Sequence, residues 1–201
     1  MNYFLRFGAY LLHPLLMPLL GACLYFAITP RFTDIEILQA KLLAVAIISL
    51  FVPIILFFLL RNLRLISSLE LVNVHERKLP LMLQCLLTLL LVKTVFDPYD
   101  NPELYFFFVG VLFSSIAALM LVMFKIKISL HQMGIAGVTM FIIALSVHFK
   151  VNMLVWIGLL ILANGWVASS RLHTNSHNFV EIIVGFFIGL VPQILMLNFW
   201  L

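Results

Sequence analysis

The chain has 201 residues, of which 64% are hydrophobic and only 10% are charged. Soluble domains are about half apolar and about a quarter charged, and a water-soluble fold of this length cannot bury so much apolar surface. The composition therefore excludes a soluble enzyme, a disordered chain and a disulfide-stapled secreted module. It predicts an all-α integral membrane protein, in which residues 1–201 form a single transmembrane helical domain that crosses the inner or plasma membrane several times.

The net charge of +4 arises from 12 Lys and Arg residues against 8 Asp and Glu residues. The basic residues lie in short loops between apolar runs, where such residues set the membrane orientation or contact lipid head groups. Arg61, Arg64, Lys125 and Lys127 fit this role of anchoring helix ends. The charge therefore indicates the lipid bilayer as a partner, and it indicates no nucleic acid.

Seven apolar runs follow one another along the chain, and a membrane span needs about 20 such residues. The runs are Phe7 to Ile28, Leu42 to Leu60, Leu81 to Phe96, Leu104 to Phe124, His131 to Val147, Val151 to Ala168 and Phe179 to Leu201. Because the third run is short, the sequence predicts a bundle of six to seven transmembrane helices. Pro14 and Pro18 predict a kink in the first helix.

The first run also has features of a secretory signal. Leu20-Gly21-Ala22-Cys23 resembles a lipoprotein cleavage box, after which the chain usually turns polar. Here it stays apolar from Leu24 to Ile28. The sequence therefore favours a first span that is retained.

Short polar segments separate the runs. The segment from Asp97 to Pro102 combines two prolines with Asp and Asn and is typical of a turn. Its Asp97-x2-Asp100 pair has the spacing of ligands that hold a diphosphate through magnesium, but the flanking prolines favour the turn. His13 and His148 are interpreted as structural or interfacial residues.

The order of the spans assigns each loop to one of two membrane faces. The N-terminus and the segments 61–80, 125–130 and 169–178 share one face, where most of the unusual polar residues lie. These are His75, Glu76, Arg77, Lys78, Ser129, His131, Ser170, Arg171, His173, His177 and Glu181. An ionisable side chain inside a span costs about 3 kcal/mol and usually has a partner or a task. The sequence therefore predicts one polar site, within a core of about residues 70–190.

These side chains have the types that phosphoryl transfer needs. If a helix begins near His177, Glu181 lies one turn further on the same helix face. A carboxylate there holds one imidazole N–H and leaves the other ring nitrogen free as a nucleophile or base. His131, from another loop, can protonate a leaving oxygen. The side chains that can clamp the phosphate are Arg171, with its planar fork, and Arg77 and Lys78.

The spacing of these residues resembles the motifs of a known family. Ser170-Arg171-x5-His177-x3-Glu181 is similar to the third motif, Ser-Arg-x5-His-x3-Asp, of the type 2 phosphatidic acid phosphatase superfamily, which is also called lipid phosphatase or haloperoxidase-like. Ile128-Ser129-Leu130-His131 is similar to its second motif, Pro-Ser-Gly-His. Arg77-Lys78-Leu79-Pro80 weakly resembles the end of its first motif, Lys-x6-Arg-Pro. The motifs follow the family's order, and the resemblance extends from about Glu70 to Gly189.

The resemblance implies a divergent, metal-independent phosphatase that hydrolyses a membrane lipid phosphate or diphosphate. His177 would become a phosphohistidine, Glu181 would orient it, and His131 would protonate the leaving group. No metal and no cofactor is implied. The residues that would bind the substrate phosphate are Arg77, Lys78, Ser129, Ser170 and Arg171.

The sequence departs from the family pattern at several positions. Glu181 replaces Asp, Leu130 replaces Gly, and Ile128 replaces Pro. Glu70 stands where the first motif has Lys, and two residues separate Arg77 from the proline. A second hypothesis is therefore a catalytically degenerate membrane protein that binds or transports a lipid or an anion.

A third hypothesis comes from the spacing His173-x3-His177-x3-Glu181. On a continuous helix these three side chains share one face and can bind a metal ion. The spacing would then indicate a metal-dependent membrane enzyme. No second cluster of metal-ligating residues completes such a site in the sequence.

Overall fold

The structure is a computed structural model that describes residues 2–67, 71 and 73–201, without the side chains of residues 2, 4 and 6. All regular structure in this part of the chain is helical. The α-helices are α1 (Asn2–Leu11), α2 (Met17–Ile28), α3 (Ile35–Ala46), α4 (Val52–Asn62), α5 (Lys78–Thr94), α6 (Pro102–Met123), α7 (Leu130–Phe149), α8 (Leu154–His173) and α9 (Phe179–Leu197). Glu70, which aligns with the Lys of the first family motif, lies outside the described residues.

The predicted all-α fold is confirmed, and six helical segments are long and apolar enough to cross a membrane. They are Phe7–Ile28, Ile35–Asn62, Pro102–Met123, Leu130–Phe149, Leu154–His173 and Phe179–Leu197. The remaining apolar run forms α5, which has only 17 residues. Six segments therefore reach the length of a membrane span, within the predicted range of six to seven.

Two helix boundaries differ from those expected from hydrophobicity alone. The second long helix begins at Ile35, because Glu36, Gln39 and Lys41 are good helix formers although they are polar. A short π-helical segment, Ile47–Phe51, joins α3 to α4 just before Pro53, which has no N–H to donate. α8 continues beyond the predicted end at Ala168, so the last turn of this helix carries Ser170 and Arg171.

The first apolar run is broken where Pro14 predicts a kink. α1 ends at Leu11, and its last helical hydrogen bond runs from Leu12 N to the Gly8 carbonyl oxygen. His13 has an extended backbone (φ −67°, ψ 138°), and its Nδ1 accepts the Leu15 N–H at 3.3 Å. His13 therefore caps the single 3₁₀ turn, Pro14–Leu16, from which α2 continues.

α7 lies at the centre of the bundle and packs closely against α9, with α2 and α8 on its other sides. Two glycines of α9 permit this approach. A Cβ atom on Gly185 would lie 2.5 Å from the Ser129 carbonyl oxygen, and one on Gly189 would overlap the Met133 carbonyl oxygen. The Ser129 N–H also donates to the Glu181 carbonyl oxygen at 3.1 Å. The beginnings of α7 and α9 are thus held together, backbone against backbone.

The opposite end of the bundle is closed by a buried carboxylate. Glu103 is fully buried and accepts hydrogen bonds from Tyr25 Oη (3.1 Å) and Arg31 Nη2 (2.7 Å), with His148 Nε2 at 3.1 Å. This contact agrees with a structural role for His148. Since His131 and His148 lie near the two ends of α7, about 25 Å of helix separates the carboxylate from the first turn of α7.

The segment between α5 and α6 forms the predicted turn. Asp97 Oδ1 accepts the Tyr99 N–H at 2.7 Å, and the Asn101 N–H donates to the Asp97 carbonyl oxygen at 3.3 Å. The first is the side-chain hydrogen bond of an Asx turn, and the second closes a backbone turn of five residues.

Candidate active site

A cavity of about 870 Å³ opens at the end of the bundle where α7 and α9 begin and α8 ends. It is lined by residues from all three loops that the helix order places on one face, including Leu71 and Arg77, Lys127, and Arg171 with Thr174 to His177. Its basic side chains are His13, Arg77, Lys127, His131, Arg171 and His177. The polar residues of distant chain segments therefore meet around one space.

The imidazole of His177 is fixed by Glu181. His177 Nδ1 donates to Glu181 Oε2 at 2.6 Å, and the side chain of His177 is buried. Because an ionised carboxylate only accepts hydrogen bonds, this bond places the proton on Nδ1 and leaves a lone pair on Nε2. The longer arm of Glu, compared with the Asp of the family motif, thus still reaches the ring.

Glu181 is itself positioned by the start of α9. Asn178 is the N-cap, and its Oδ1 accepts the Glu181 N–H at 2.9 Å. Asn178 Nδ2 donates back to Glu181 Oε1 at 3.3 Å. A carboxylate in the first helical turn is also favoured by the helix dipole. His177 precedes the helix, so the predicted pairing of the two residues is present although His177 lies before the first turn.

The end of α8 sets the distance between Arg171 and His177. Asn175 adopts a left-handed conformation (φ 51°), which is typical of a residue that terminates a helix. The Arg171 carbonyl oxygen accepts the N–H groups of Ser176 (3.1 Å) and His177 (3.4 Å). The five intervening residues of the motif therefore form one helix end and one turn, which bring Arg171 and His177 to the same cavity.

Arg77 joins two loops beneath the cavity. Its Nε donates to the Leu71 carbonyl oxygen at 2.9 Å and its Nη1 to the Ile128 carbonyl oxygen at 2.8 Å. These bonds use two of the five guanidinium N–H donors of a side chain that lines the cavity. Burial lowers the pKa of the guanidinium, and Glu181 opposes this change. Arginine nevertheless keeps its proton in proteins, so Arg77 brings a desolvated positive charge to the site.

His131 lies in the first turn of α7 and lines the same cavity as His177. Its ring donates a hydrogen bond to the backbone carbonyl of Ala9 in α1. A carbonyl oxygen that accepts one ring N–H fixes the orientation of the ring. The geometry thus presents a second histidine to the cavity with its other ring nitrogen available.

Lys127 is a residue of the cavity that the sequence did not indicate, since we interpreted it as a helix-end anchor. Its Nζ donates to the Ser176 carbonyl oxygen at 2.7 Å, and the side chain lines the cavity. The only signal in the sequence was its position two residues before Ser129, in the loop of the second motif. His13, which the sequence indicates as a structural or interfacial residue, also lines the cavity.

Three residues predicted to bind phosphate do not line the cavity. The side chain of Lys78 is exposed to solvent at the start of α5. Ser129 is fully buried, and its Oγ caps α7 by accepting the Gln132 N–H at 3.3 Å. Ser170 is fully buried as well, and its Oγ has no hydrogen-bond partner among the described residues.

The three side chains of the predicted metal site do not share one helix face. His173 belongs to the last turn of α8, whereas Glu181 belongs to α9, so His173, His177 and Glu181 are not on one continuous helix. Within the described ranges, no group of three or more His, Cys, Asp or Glu side chains is arranged to hold a metal ion. The His177 and Glu181 side chains instead bond to each other.

The electrostatic surroundings keep His177 in its neutral form. Burial lowers the pKa of His177 well below its ordinary value of 6.5, and the positive charges of Arg77 and Lys127 lower it further, while the hydrogen bond to Glu181 acts in the opposite direction. The imidazole is therefore uncharged at neutral pH, with its Nε2 lone pair available for a bond to an electrophile.

The cavity continues from these polar groups into the apolar interior of the bundle. Its inner wall includes Phe107 and Val111 of α6 and Val138 of α7. Val138 lies two turns beyond His131, about 10 Å along the helix. One cavity thus has a cationic, histidine-rich mouth and an interior in which these apolar side chains lie together with Ser114, Ser115 and Gln193.

Comparisons with protein-family models, with curated proteins and with solved structures find no match to this chain. What the cavity does is therefore inferred from its side chains and their geometry, together with the motif resemblance.

Proposed function

We propose that this chain is a multi-pass integral membrane phosphatase that hydrolyses a lipid phosphate or diphosphate through a phosphohistidine on His177. The observation that carries the proposal is that His131 and His177, from separate loops, line one cavity together with Arg77, Lys127 and Arg171. A nucleophile, a carboxylate that orients it, a proton donor and a cationic clamp are the parts that metal-independent phosphoryl transfer needs.

In the first step, Nε2 of His177 attacks the phosphorus atom. The P–N bond forms, and the P–O bond to the leaving group breaks with its electron pair going to the leaving oxygen. His131 is in its imidazolium form when the phosphate anion is bound beside it, and its ring nitrogen that does not face Ala9 gives its proton to that oxygen. Glu181 stabilises the positive charge that develops on the His177 ring through the 2.6 Å hydrogen bond.

In the second step, water attacks the phosphorus atom and gives its proton to His131. The P–N bond breaks with its electron pair returning to Nε2, and inorganic phosphate is released. His131 therefore alternates between acid and base.

The negative charge of the transferring phosphoryl group requires preorganised cations. Arg77 and Lys127 act electrostatically on His177, and Arg171 acts on His131. The backbone bonds of Arg77 and Lys127 hold these two charges in place before substrate binds. Positive charge is thus present beside both the attacking nitrogen and the leaving group.

The lipid part of the proposal is supported by the apolar features of the chain. Six helices are long and apolar enough to cross a membrane, and the cavity extends from the cationic mouth to the apolar side chains of Phe107 and Val138. An amphipathic substrate would place its phosphate at the mouth and its hydrocarbon chain inside the bundle.

The test is phosphate release by the purified full chain in detergent micelles, with dioctanoyl phosphatidic acid and a prenyl diphosphate as substrates. We expect release from at least one of them in the presence of EDTA. Release that appears only after a divalent cation is added would contradict the proposal. Tight binding of orthovanadate with no turnover of either lipid would instead favour the degenerate binding protein.

Two lysines of neighbouring loops provide a matched comparison. Lys127→Ala removes a cation of the cavity, so we expect kcat/KM for the lipid phosphate to fall by about tenfold or more, as for loss of a charged hydrogen bond. Lys78→Ala removes an exposed charge outside the cavity and should leave kcat/KM close to that of the unaltered protein. Equal losses in the two variants, measured at the same salt concentration, would contradict the assignment of Lys127 to the site.

A further inference from the structure

His13 lies at the break between α1 and α2. This break brings two groups to the cavity, the backbone of Ala9 and the ring of His13. Because α1 ends at Leu11, the carbonyl oxygen of Ala9 lies beyond the last helical hydrogen bond, Leu12 N to Gly8 O, and accepts one from His131 instead. The extended backbone of His13 then directs its own ring to the cavity.

The two nitrogens of the His13 ring have different roles. Nδ1 accepts the Leu15 N–H at 3.3 Å, so in the neutral ring the proton is on Nε2. Nε2–H is therefore a hydrogen-bond donor on a side chain that lines the cavity. A cap alone needs only the Nδ1 acceptor and would be served equally by Asn or Asp.

The His13 ring packs edge-on against the ring of His131, with 5.2 Å between centroids and 81° between planes. Arg171 acts electrostatically on both rings. Arg77 and Lys127 act electrostatically on His177. His13 therefore lies beside His131, in a part of the cavity where Arg171 is the neighbouring cation.

We propose that His13 is a phosphate-binding residue of the cavity, whose Nε2–H donates to a phosphate oxygen on the side of His131. The assignment of this side to the leaving group rests on the proposed function. The binding of a phosphate anion by His13 does not, because it requires only the donor, the cavity and the neighbouring cation. The ligand of His13 would be a phosphate group, either on a lipid or as the free anion.

The test uses two substitutions that separate the nitrogens of the ring. His13→Asn can keep an acceptor near the position of Nδ1 but has no donor at the position of Nε2. His13→Gln can place a side-chain N–H near the position of Nε2 but loses the cap. For both variants of the full chain and for the unaltered protein, we would measure the Kd for inorganic phosphate, the thermal unfolding temperature without phosphate, and kcat and KM for dioctanoyl phosphatidic acid.

We expect His13→Asn to raise the phosphate Kd by about 10-fold to 100-fold with an unchanged unfolding temperature, and His13→Gln to keep a Kd close to that of the unaltered protein. Phosphate binding by His13→Asn equal to that of the unaltered protein would overturn the proposal and leave only the cap. If His13→Asn does not fold, His13→Gln decides, because weakened phosphate binding by this folded variant would also overturn it.

The two proposals fail in different ways. If the unaltered protein binds phosphate through His13 but releases none from lipid phosphates, the proposed function fails and the role of His13 stands. If the lipid phosphate is hydrolysed and His13→Asn changes neither its KM nor the phosphate Kd, the role of His13 fails and the proposed function stands. If His13→Asn raises KM for the lipid phosphate but leaves the Kd for inorganic phosphate unchanged, His13 contacts the lipid substrate and does not bind the free anion, which contradicts this part of the proposal.

Discussion

His177→Ala is expected to lower phosphate release from a lipid phosphate by about 10⁴-fold or more, without a large change in the unfolding temperature. The substitution removes the proposed nucleophile, and no other residue in the described part of the cavity has an imidazole oriented by a carboxylate. The measurement is single-turnover release of phosphate by purified protein at saturating substrate.

Two controls separate chemistry from folding. Glu181→Gln keeps a hydrogen-bonding group but loses the charge that fixes the ring, so we expect a loss of about 10²-fold to 10⁴-fold. His75→Ala removes an exposed histidine of a preceding loop, outside the cavity, and should retain full activity. Full activity of the His177 variant would exclude the phosphohistidine.

The pH dependence of kcat/KM tests the protonation state of His177. Protonation of Nε2 removes the lone pair, and the pKa of His177 lies below 6.5 because the ring is buried beside Arg77 and Lys127. The acidic limb of the profile should therefore lie well below pH 6.5, and the alkaline limb should report loss of the proton that His131 gives to the leaving group. Lys127→Ala removes a positive charge and should move this acidic limb to higher pH.

Gly189→Ala is expected to destabilise the bundle by about 3 kcal/mol or more and to reduce activity in the protein that remains folded. The added methyl group would overlap the Met133 carbonyl oxygen of α7, and a backbone atom cannot rotate away as a side chain can. α9 must then move away from α7. Since α9 orients His177 through Glu181 and α7 carries His131, the distance between the two histidines would change. The measurement is thermal unfolding together with kcat.

Gly158→Ala is the matched control for this substitution. Nothing lies within 4 Å of a Cβ atom at Gly158, so the same methyl group meets open space. Alanine is also the better helix former, and the variant should be at least as stable as the unaltered protein. Equal stability of the two variants would contradict the close packing of α7 on α9.

The features that the sequence predicts, the helices and the contact between His177 and Glu181, depend on local spacing. Hydrophobic runs marked the helices, and six helical segments are long and apolar enough to cross a membrane. The four-residue separation of His177 and Glu181 was enough to predict their contact, since α9 begins between them. The order of the spans was also enough to predict that three loops meet, because each span reverses the direction of the chain.

The features that the sequence did not predict depend on how loops fold. Lys127 enters the cavity because its Nζ finds the Ser176 carbonyl oxygen, a contact between segments 49 residues apart. His13 does so because the helix break turns its ring towards His131. Conversely, the buried hydroxyl of Ser129 caps its own helix. Neither residue type nor spacing contains this information.

The central claim is that the phosphoryl group of a lipid is transferred to His177. It is tested most directly by mixing purified protein with a ³²P-labelled lipid phosphate in EDTA, quenching in alkali during the first turnover, and locating the label by peptide mass spectrometry. We predict an acid-labile, alkali-stable label on Nε2 of His177, absent from His177→Ala. Turnover with no protein-bound label, or with a label on another residue, would contradict the mechanism.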